Sequence, residues 1–325
     1  MMYCADRLRR CCFSLPEIVQ KMLFNEILKE RSDQLSPLFN ELFDLALKYQ
    51  THSGDLLLTL ENGFLTEEPD HDDAGKVKLF YNIGPKMEYH CETASHDFIR
   101  QYVRSVVAMP YEEYKKLHEY SAERRQEIDE LLLMEGNTIQ VEMLIYLKIW
   151  EGETFLKKFY QLSRLITGQD YDWHLEISFG KGEAGSMPRH QLIRELKANL
   201  KERLPALYEV FERLHRSELR NAIAHSQYAM LGRNILLDNQ KPGQPDEKFH
   251  ISFDEWVDIF HDTLTVFTLY GMFFQRVREH YHAASKEFHY KKEVRVSRRF
   301  PEVKQFPILL YTDAYSKDWS PYPNR

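Results

Sequence analysis

The sequence predicts a mainly α-helical protein with a few short β-type excursions. Apolar residues recur at three- and four-residue intervals over several stretches long enough to be helices. Two of these stretches open with a capping signature, Ser14-Leu15-Pro16-Glu17 and Ser252-Phe253-Asp254-Glu255. Extended-type runs, by contrast, are few and short. The 325 residues allow two domains, or one large domain with additions. Apolar and charged fractions are those of an ordinary globular chain. No apolar run reaches the ~18 residues needed to span a bilayer. The first residues, MMYCADRLRRCCFSLPEIV, have a basic flank but no apolar core of secretory type. Four cysteines, two of them adjacent at Cys11 and Cys12, form no disulfide framework, so a reduced, cytoplasmic setting is expected. With His90 and His96 they show no paired metal-ligand spacing, and no metal or cofactor is expected. The net charge of −7 argues against a protein that coats nucleic acid over its whole surface, and leaves room for one local basic groove.

In chain order, residues 14 to 50 read as two helices, the second restarting at Ser36-Pro37 with Leu38, Phe39, Leu42, Phe43 and Ala46 at helical spacing. Leu56 to Leu60 and Val77 to Tyr81 read as an irregular or hairpin-like insertion around the acidic stretch TEEPDHDDAG. Asp70, Asp72 and Asp73 lack calcium-loop spacing, so a solvated charge run is expected. Helix returns at about 94 to 108, breaks at Pro110 and resumes to Glu135 as a mostly charged segment with a thin apolar stripe, suited to an exposed helix or one that bridges layers. Gly136-Asn137-Thr138 is the clearest internal boundary, giving a largely helical region with an acidic loop over 1–137.

From Ile139 a long helix runs to Ile166, with Gly168 as its C-cap and Leu144, Ile145, Ile149, Phe155, Leu156, Phe159 and Leu162 as its core face. A loop with a short extended piece at Leu175 to Phe179 follows; its glycines match no phosphate-binding pattern. Helix restarts at Ser186-Met187-Pro188 and again at Pro205. A turn at Gly232 and strand-like segments precede the last long helix. Its stripe of Trp256, Ile259, Phe260, Thr263, Phe267, Tyr270, Phe274, Val277 and Tyr281 is the most regular in the chain, and reads as core packing. The second region therefore spans 138–285, and a basic and aromatic tail spans 286–325. Between Arg276 and Phe300 rings are interspersed among basic residues that include Lys291, Lys292, Arg295, Arg298 and Arg299, as a single-stranded RNA contact requires; a lysine- and arginine-protected edge strand accounts for the same residues.

One stretch concentrates chemistry. In Ser217-Glu218-Leu219-Arg220-Asn221-Ala222-Ile223-Ala224-His225, three strongly polar residues interrupt a small, apolar run. On a helix Asn221 and His225 share a face, and Arg220 lies about 140° round from His225. An imidazole can exchange protons near neutral pH, and a guanidinium offers a fixed fork of donors to a phosphate. Capping and pairing of a helix end accounts for the same residues. A looser match, Arg276 and His282, stands inside an ordinary amphipathic pattern.

The stretch resembles the Arg-Asn-x-x-x-His signature of HEPN-domain proteins, and the order of elements over roughly 138 to 283 is similar to theirs. The resemblance implies a HEPN-like helical bundle with a short β-hairpin-like excursion, and a metal-independent endoribonuclease of toxin–antitoxin or anti-phage type. It implies Arg220, Asn221 and His225 as catalytic residues, and a carboxylate on the first bundle helix, Glu151 ahead of Glu153, holding the arginine. It also implies RNA as substrate, a homodimer, and an antitoxin or sensor partner. A non-catalytic helical module that binds RNA or protein is the alternative, and fits the acidic net charge.

Overall fold

The computed structural model describes residues 22–71, 77–83, 88–104, 109–178, 186–239, 250–299, 302–313 and 318–321. The helices are α1 (Asn25–Tyr49), α2 (Asp55–Glu61), α3 (Glu88–Val103), α4 (Tyr111–Lys116), α5 (Arg125–Trp150), α6 (Glu153–Ile166), α7 (Arg189–Arg203), α8 (Pro205–Leu214), α9 (Ser217–Ala224) and α10 (Phe253–Ser285). The strands are β1 (Phe64–His71), β2 (Val77–Asn82), β3 (Ile177–Ser178), β4 (Met187–Pro188), β5 (Tyr228–Met230), β6 (Asn234–Leu237), β7 (His250–Ser252), β8 (Lys291–Arg298), β9 (Lys304–Thr312) and β10 (Trp319–Pro321). The chain is mainly helical with small sheets, as its periodicity predicts. Among the described residues no helix is long and apolar enough to cross a membrane, and no group of three or more His, Cys, Asp or Glu could hold a metal ion. Cys4, Cys11, Cys12, Asp72 and Asp73 lie outside the described residues.

The chain divides into two compact units. The first comprises Met1–Arg31, Asp97–Leu147 and Ser217–Asp262. Its core gathers Phe24, Tyr114, Ile128, Leu131, Trp256 and Phe260, each at most 7% exposed. At roughly 1.5–3 kcal/mol per large apolar side chain, this burial is what holds the short segments together. His261 is buried here as a neutral ring: its Nε2 accepts the Phe24 N–H at 2.8 Å and its Nδ1–H donates to the Val257 carbonyl at 2.7 Å. Burial holds its pKa down at about 4, so it is a core histidine. Strands β5, β6 and β7 form an antiparallel sheet in that order, with Ile235, Leu237 and Ile251 turned inward.

The second unit comprises Ser32–His96, Lys148–Arg216 and Thr263–Arg325. Its aromatic core joins α1, α6, α8 and α10: Phe159 meets Phe39, Phe211 and Tyr270 at centroid distances of 6.3, 4.8 and 5.5 Å. The stripe predicted on α10 is buried throughout except at Phe267, which is half-buried. Strands β8, β9 and β10 make a three-stranded antiparallel sheet, where the sequence predicts an edge strand followed by an arm. β1 and β2 form a hairpin: β2 covers the predicted run Val77 to Tyr81, but its partner is Phe64–His71 instead of Leu56 to Leu60.

Several boundaries differ from the sequence reading, each for a physical reason. α1 is one helix carrying Pro37, because Leu35, Phe39 and Leu42 are buried on both sides of it. The Ser36 hydroxyl donates to the Ser32 carbonyl at 2.6 Å, beside the backbone bond that the proline removes. Leu56 to Leu60 is helix α2, not strand; the run is buried on every side, and such a run has no period to read. α2 starts after Gly54, at φ 119°, where a Cβ would come within 2.8 Å of Val294 Cγ1. The segment from 111 to 135 breaks after Lys116, and its Tyr114 is 1% exposed rather than solvated. Gly136 lies inside α5, and the helix breaks instead at Gly152, where a Cβ would meet the Lys148 carbonyl at 2.9 Å. Leu144 is 48% exposed and takes no part in the core.

Candidate active site at the end of α9

Helix α9 is short and amphipathic. Leu219, Ala222 and Ile223 are buried, at spacings of three and four. The remaining faces carry Arg220 and Asn221, both half-buried, and lead to His225, which is exposed. The helix ends by a definable motif. The Gln227 N–H bonds the Ala222 carbonyl at 2.8 Å, and the Ser226 N–H bonds the Ile223 carbonyl at 3.2 Å. This pair of bonds is a Schellman cap, with Ser226 in the left-handed region at φ 55° and His225 as the capping residue. The His225 N–H still bonds Asn221 at 3.0 Å, so the imidazole is carried on helical backbone while its side chain faces water. Glycine is the usual residue at the position Ser226 occupies; a side chain there costs about 1 kcal/mol.

The chain leaving α9 is tied back to it. Asn239 Nδ2–H donates to the Glu218 carbonyl at 2.6 Å, and the Asp238 N–H donates to Gln227 at 2.9 Å. β5 and β6 follow with Tyr228 opposite Leu237, and the sheet anchors the turn that presents His225. Arg220, Asn221 and His225 thus come together on one short helix and its cap. Glu151 lies in the second unit, where its carboxylate pairs with Arg189 Nη1 at 2.6 Å; Arg189 also donates to the Trp150 carbonyl at 3.1 Å. Glu153 pairs with Lys157 one turn later. Arg276, in the looser match, lies over the Phe43 ring at 3.8 Å and bonds Asn40 at 2.9 Å, a packing role; His282 is 8% exposed.

The tail cations are divided by strand geometry. Successive side chains of β8 point to opposite faces, so Lys291 and Arg295 are set apart from Lys292 and Arg298, and Arg299 lies just past the strand end. Val294 and Val296 are buried on the face of Lys292 and Arg298. Lys292 Nζ–H donates to Ser53 Oγ at 2.7 Å, Arg298 pairs with Glu302 at 3.2 Å, and Arg299 lies 3.8 Å from Asp172. Lys291 stands opposite Tyr311, and Arg295 opposite Pro307.

A buried polar network in the first unit escaped the sequence reading. Glu135 is 0% exposed and takes a two-point contact from Arg233, at 2.9 and 3.2 Å. Burial opposes the Arg233 charge, but Glu135 more than offsets it and holds the guanidinium pKa above its ordinary value. His118 Nε2 lies 3.3 Å from the same carboxylate, and burial holds that imidazole below its usual range. One helical stretch further on, Glu142 is also 0% exposed. It accepts the Tyr102 hydroxyl at 2.6 Å and the Trp256 indole N–H at 2.7 Å. Burial, outweighing both hydrogen bonds, pushes its pKa up to about 7. Tyr102 also walls an open groove of about 600 Å³ with Phe98, Met134, Asn137 and Val141. No protein-family model, curated protein or solved structure matches the chain.

Proposed function

We propose that the chain is a HEPN-type endoribonuclease that cleaves RNA without a metal ion, using the end of α9. The observation that carries this is the accessible His225 on a capped helix end, with Arg220 and Asn221 in the turn before it. His225 takes the proton from a ribose 2′-OH, whose oxygen attacks the adjacent phosphorus. The bond from phosphorus to the 5′-oxygen breaks, and that oxygen leaves with a proton. The product carries a 2′,3′-cyclic phosphate. Arg220 meets the charge that builds on the pentacoordinate phosphate, and Asn221 orients the phosphate or the imidazole. In this reading two copies of the chain join their α9 ends in one cleft, and an antitoxin or sensor protein restrains the activity.

The purified protein should cleave single-stranded RNA in the presence of EDTA and leave cyclic-phosphate ends. His225→Ala should slow cleavage by about 10²–10⁴-fold. Arg220→Lys should rescue poorly, because a point charge cannot reproduce the guanidinium fork. Arg276→Ala, at the looser match, should leave the chemical step unchanged. Strict dependence on added Mg²⁺, or parental cleavage by His225→Ala, would overturn the assignment and leave a non-catalytic binding module in its place.

A further inference from the structure

We infer that the cavity at the C-terminal end of α10 holds one phosphate of an RNA strand, with the neighbouring base stacked on Phe288. The choice of RNA rests on the ribonuclease reading; the pocket itself rests on its own geometry. The cavity measures about 160 Å³ and is lined by Ser53, His280, Tyr281, Phe288, Lys291 and Lys292. Small-molecule pockets generally begin near 300 Å³, so this one suits a compact anionic group rather than a whole nucleotide. Among the described residues no carboxylate lines it. Asp44 pairs with Arg276 at 3.3 Å, and Asp55 accepts the His52 N–H at 2.9 Å. Glu293 falls on the face of β8 opposite to Lys292 and shares that of Lys291, but does not line the cavity.

The cations are set up for an anion. Lys292 Nζ bonds a neutral hydroxyl, Ser53 Oγ, and stands 6.0 Å from the Tyr281 ring centroid. Burial lowers its pKa, a cost that an arriving anion would relieve. His280 is depressed by burial and then by the positive charges of Arg276 and Lys292, while Glu293 acts in the opposite sense on Lys292. Phe288 stands at the rim, 66% exposed. The backbone supplies an independent sign. His289 and Tyr290 both adopt the left-handed region, at φ 55° and 60°, although neither is glycine. This strained pair swings the chain from the end of α10 into β8, and sets Lys291 and Lys292 at the cavity mouth. Paired strain of this kind persists where the surroundings fix it, commonly at ligand sites.

The test uses full-length His225→Ala protein, so that the probe survives, and a fluorescein-labelled ten-nucleotide single-stranded RNA followed by anisotropy across a salt series. Replacing Lys291 and Lys292 together by Gln should weaken binding by at least about tenfold. It should also reduce the slope of log K against log salt by about 0.7, the share of one phosphate on a single strand. The Lys→Arg pair should keep both. Phe288→Ala should weaken binding at least about fivefold with the slope unchanged. If the Gln pair unfolds the chain, Lys291→Gln alone and Phe288→Ala carry the same test. Parental affinity and slope in the Gln variants would overturn the pocket and leave His225 cleavage untouched. A lysine effect that persists while His225 proves dispensable for cleavage would instead overturn the ribonuclease reading and leave the pocket standing.

Discussion

Two polar clusters in the first unit make opposite use of the same residue types. At Glu135 a carboxylate is packed out of water, held at two points by a partly buried arginine, with a buried histidine 3.3 Å away. At the end of α9 an arginine, an amide and a histidine stand at the surface of a helix eight residues long. The first set is tied by long-range geometry, and its removal should be felt by the whole fold. In the second the helix end is closed by main-chain bonds, and loss of the exposed imidazole should be felt by chemistry. Stability measurements on variants of each cluster test that contrast directly.

The largest effect is expected at Glu135. Glu135→Ala leaves the Arg233 guanidinium partly buried without its two-point acceptor, and breaking a buried pair in this way costs about 3–5 kcal/mol. Urea unfolding should show a lower midpoint with an unchanged slope. A loss below about 1 kcal/mol would mean that water reaches the pair, and that the cluster is not a buried one in solution.

Glu142 sharpens the contrast through pH. Its folded pKa of about 7 is raised above the ordinary carboxylate value, chiefly by burial. The protonated form is therefore the one the fold favours. Its contribution to stability is fully present below the unfolded pKa near 4.5 and is lost as pH rises through about 7. Gln imitates the protonated acid: its carbonyl can accept from Trp256, and its amide can donate to the Tyr102 oxygen. Glu142→Gln should match the parent near pH 4.5 and be more stable by about 3 kcal/mol above pH 7.5. Equal stability at both ends of the range would show that Glu142 stays ionised in the folded protein.

How much of this could be read in advance follows the range of the interactions. The stripe on α10 was readable because its period is local. So was the cap of α6, where Gly168 stands at φ 74° and the Gly168 and Gln169 N–H groups donate to Leu165 and Arg164, as Ser226 and Gln227 donate on α9. The Arg220-Asn221-His225 set was found for the same reason: its members lie within six residues. Glu135 was not, because Arg233 comes 98 residues later, and nothing near Glu135 marks it as buried. Pro37 misled because a local breaker was outweighed by distant packing. The tail cations were read as one row, and strand alternation splits them into two.

Ser226 offers an intermediate effect. Its left-handed backbone, adjacent to His225, is strained where Gly168 is not. Ser226→Gly should raise stability by about 1 kcal/mol, less the extra entropy of glycine in the unfolded chain. If cleavage falls in the stabilised variant, the serine conformation serves the position of His225. If cleavage is unchanged, the strain is incidental to the proposed chemistry.

The smallest effect on stability is expected at His225 itself, and it decides between chemistry and capping. The cap of α9 is made by main-chain groups: Gln227 N–H to Ala222, Ser226 N–H to Ile223 and His225 N–H to Asn221. None of these bonds involves the imidazole, so alanine at 225 keeps all three. The ring is exposed, and surface substitutions of this kind stay within about 0.5 kcal/mol. His225→Ala should therefore melt with the parent, even as it loses cleavage. Asn221→Ala should behave alike, since its backbone carbonyl, not its side chain, accepts the His225 N–H. A drop of 0.5–2 kcal/mol at either position is the signature of a side-chain cap. With cleavage intact, that drop would assign the helix end to structure and remove the basis for a catalytic α9.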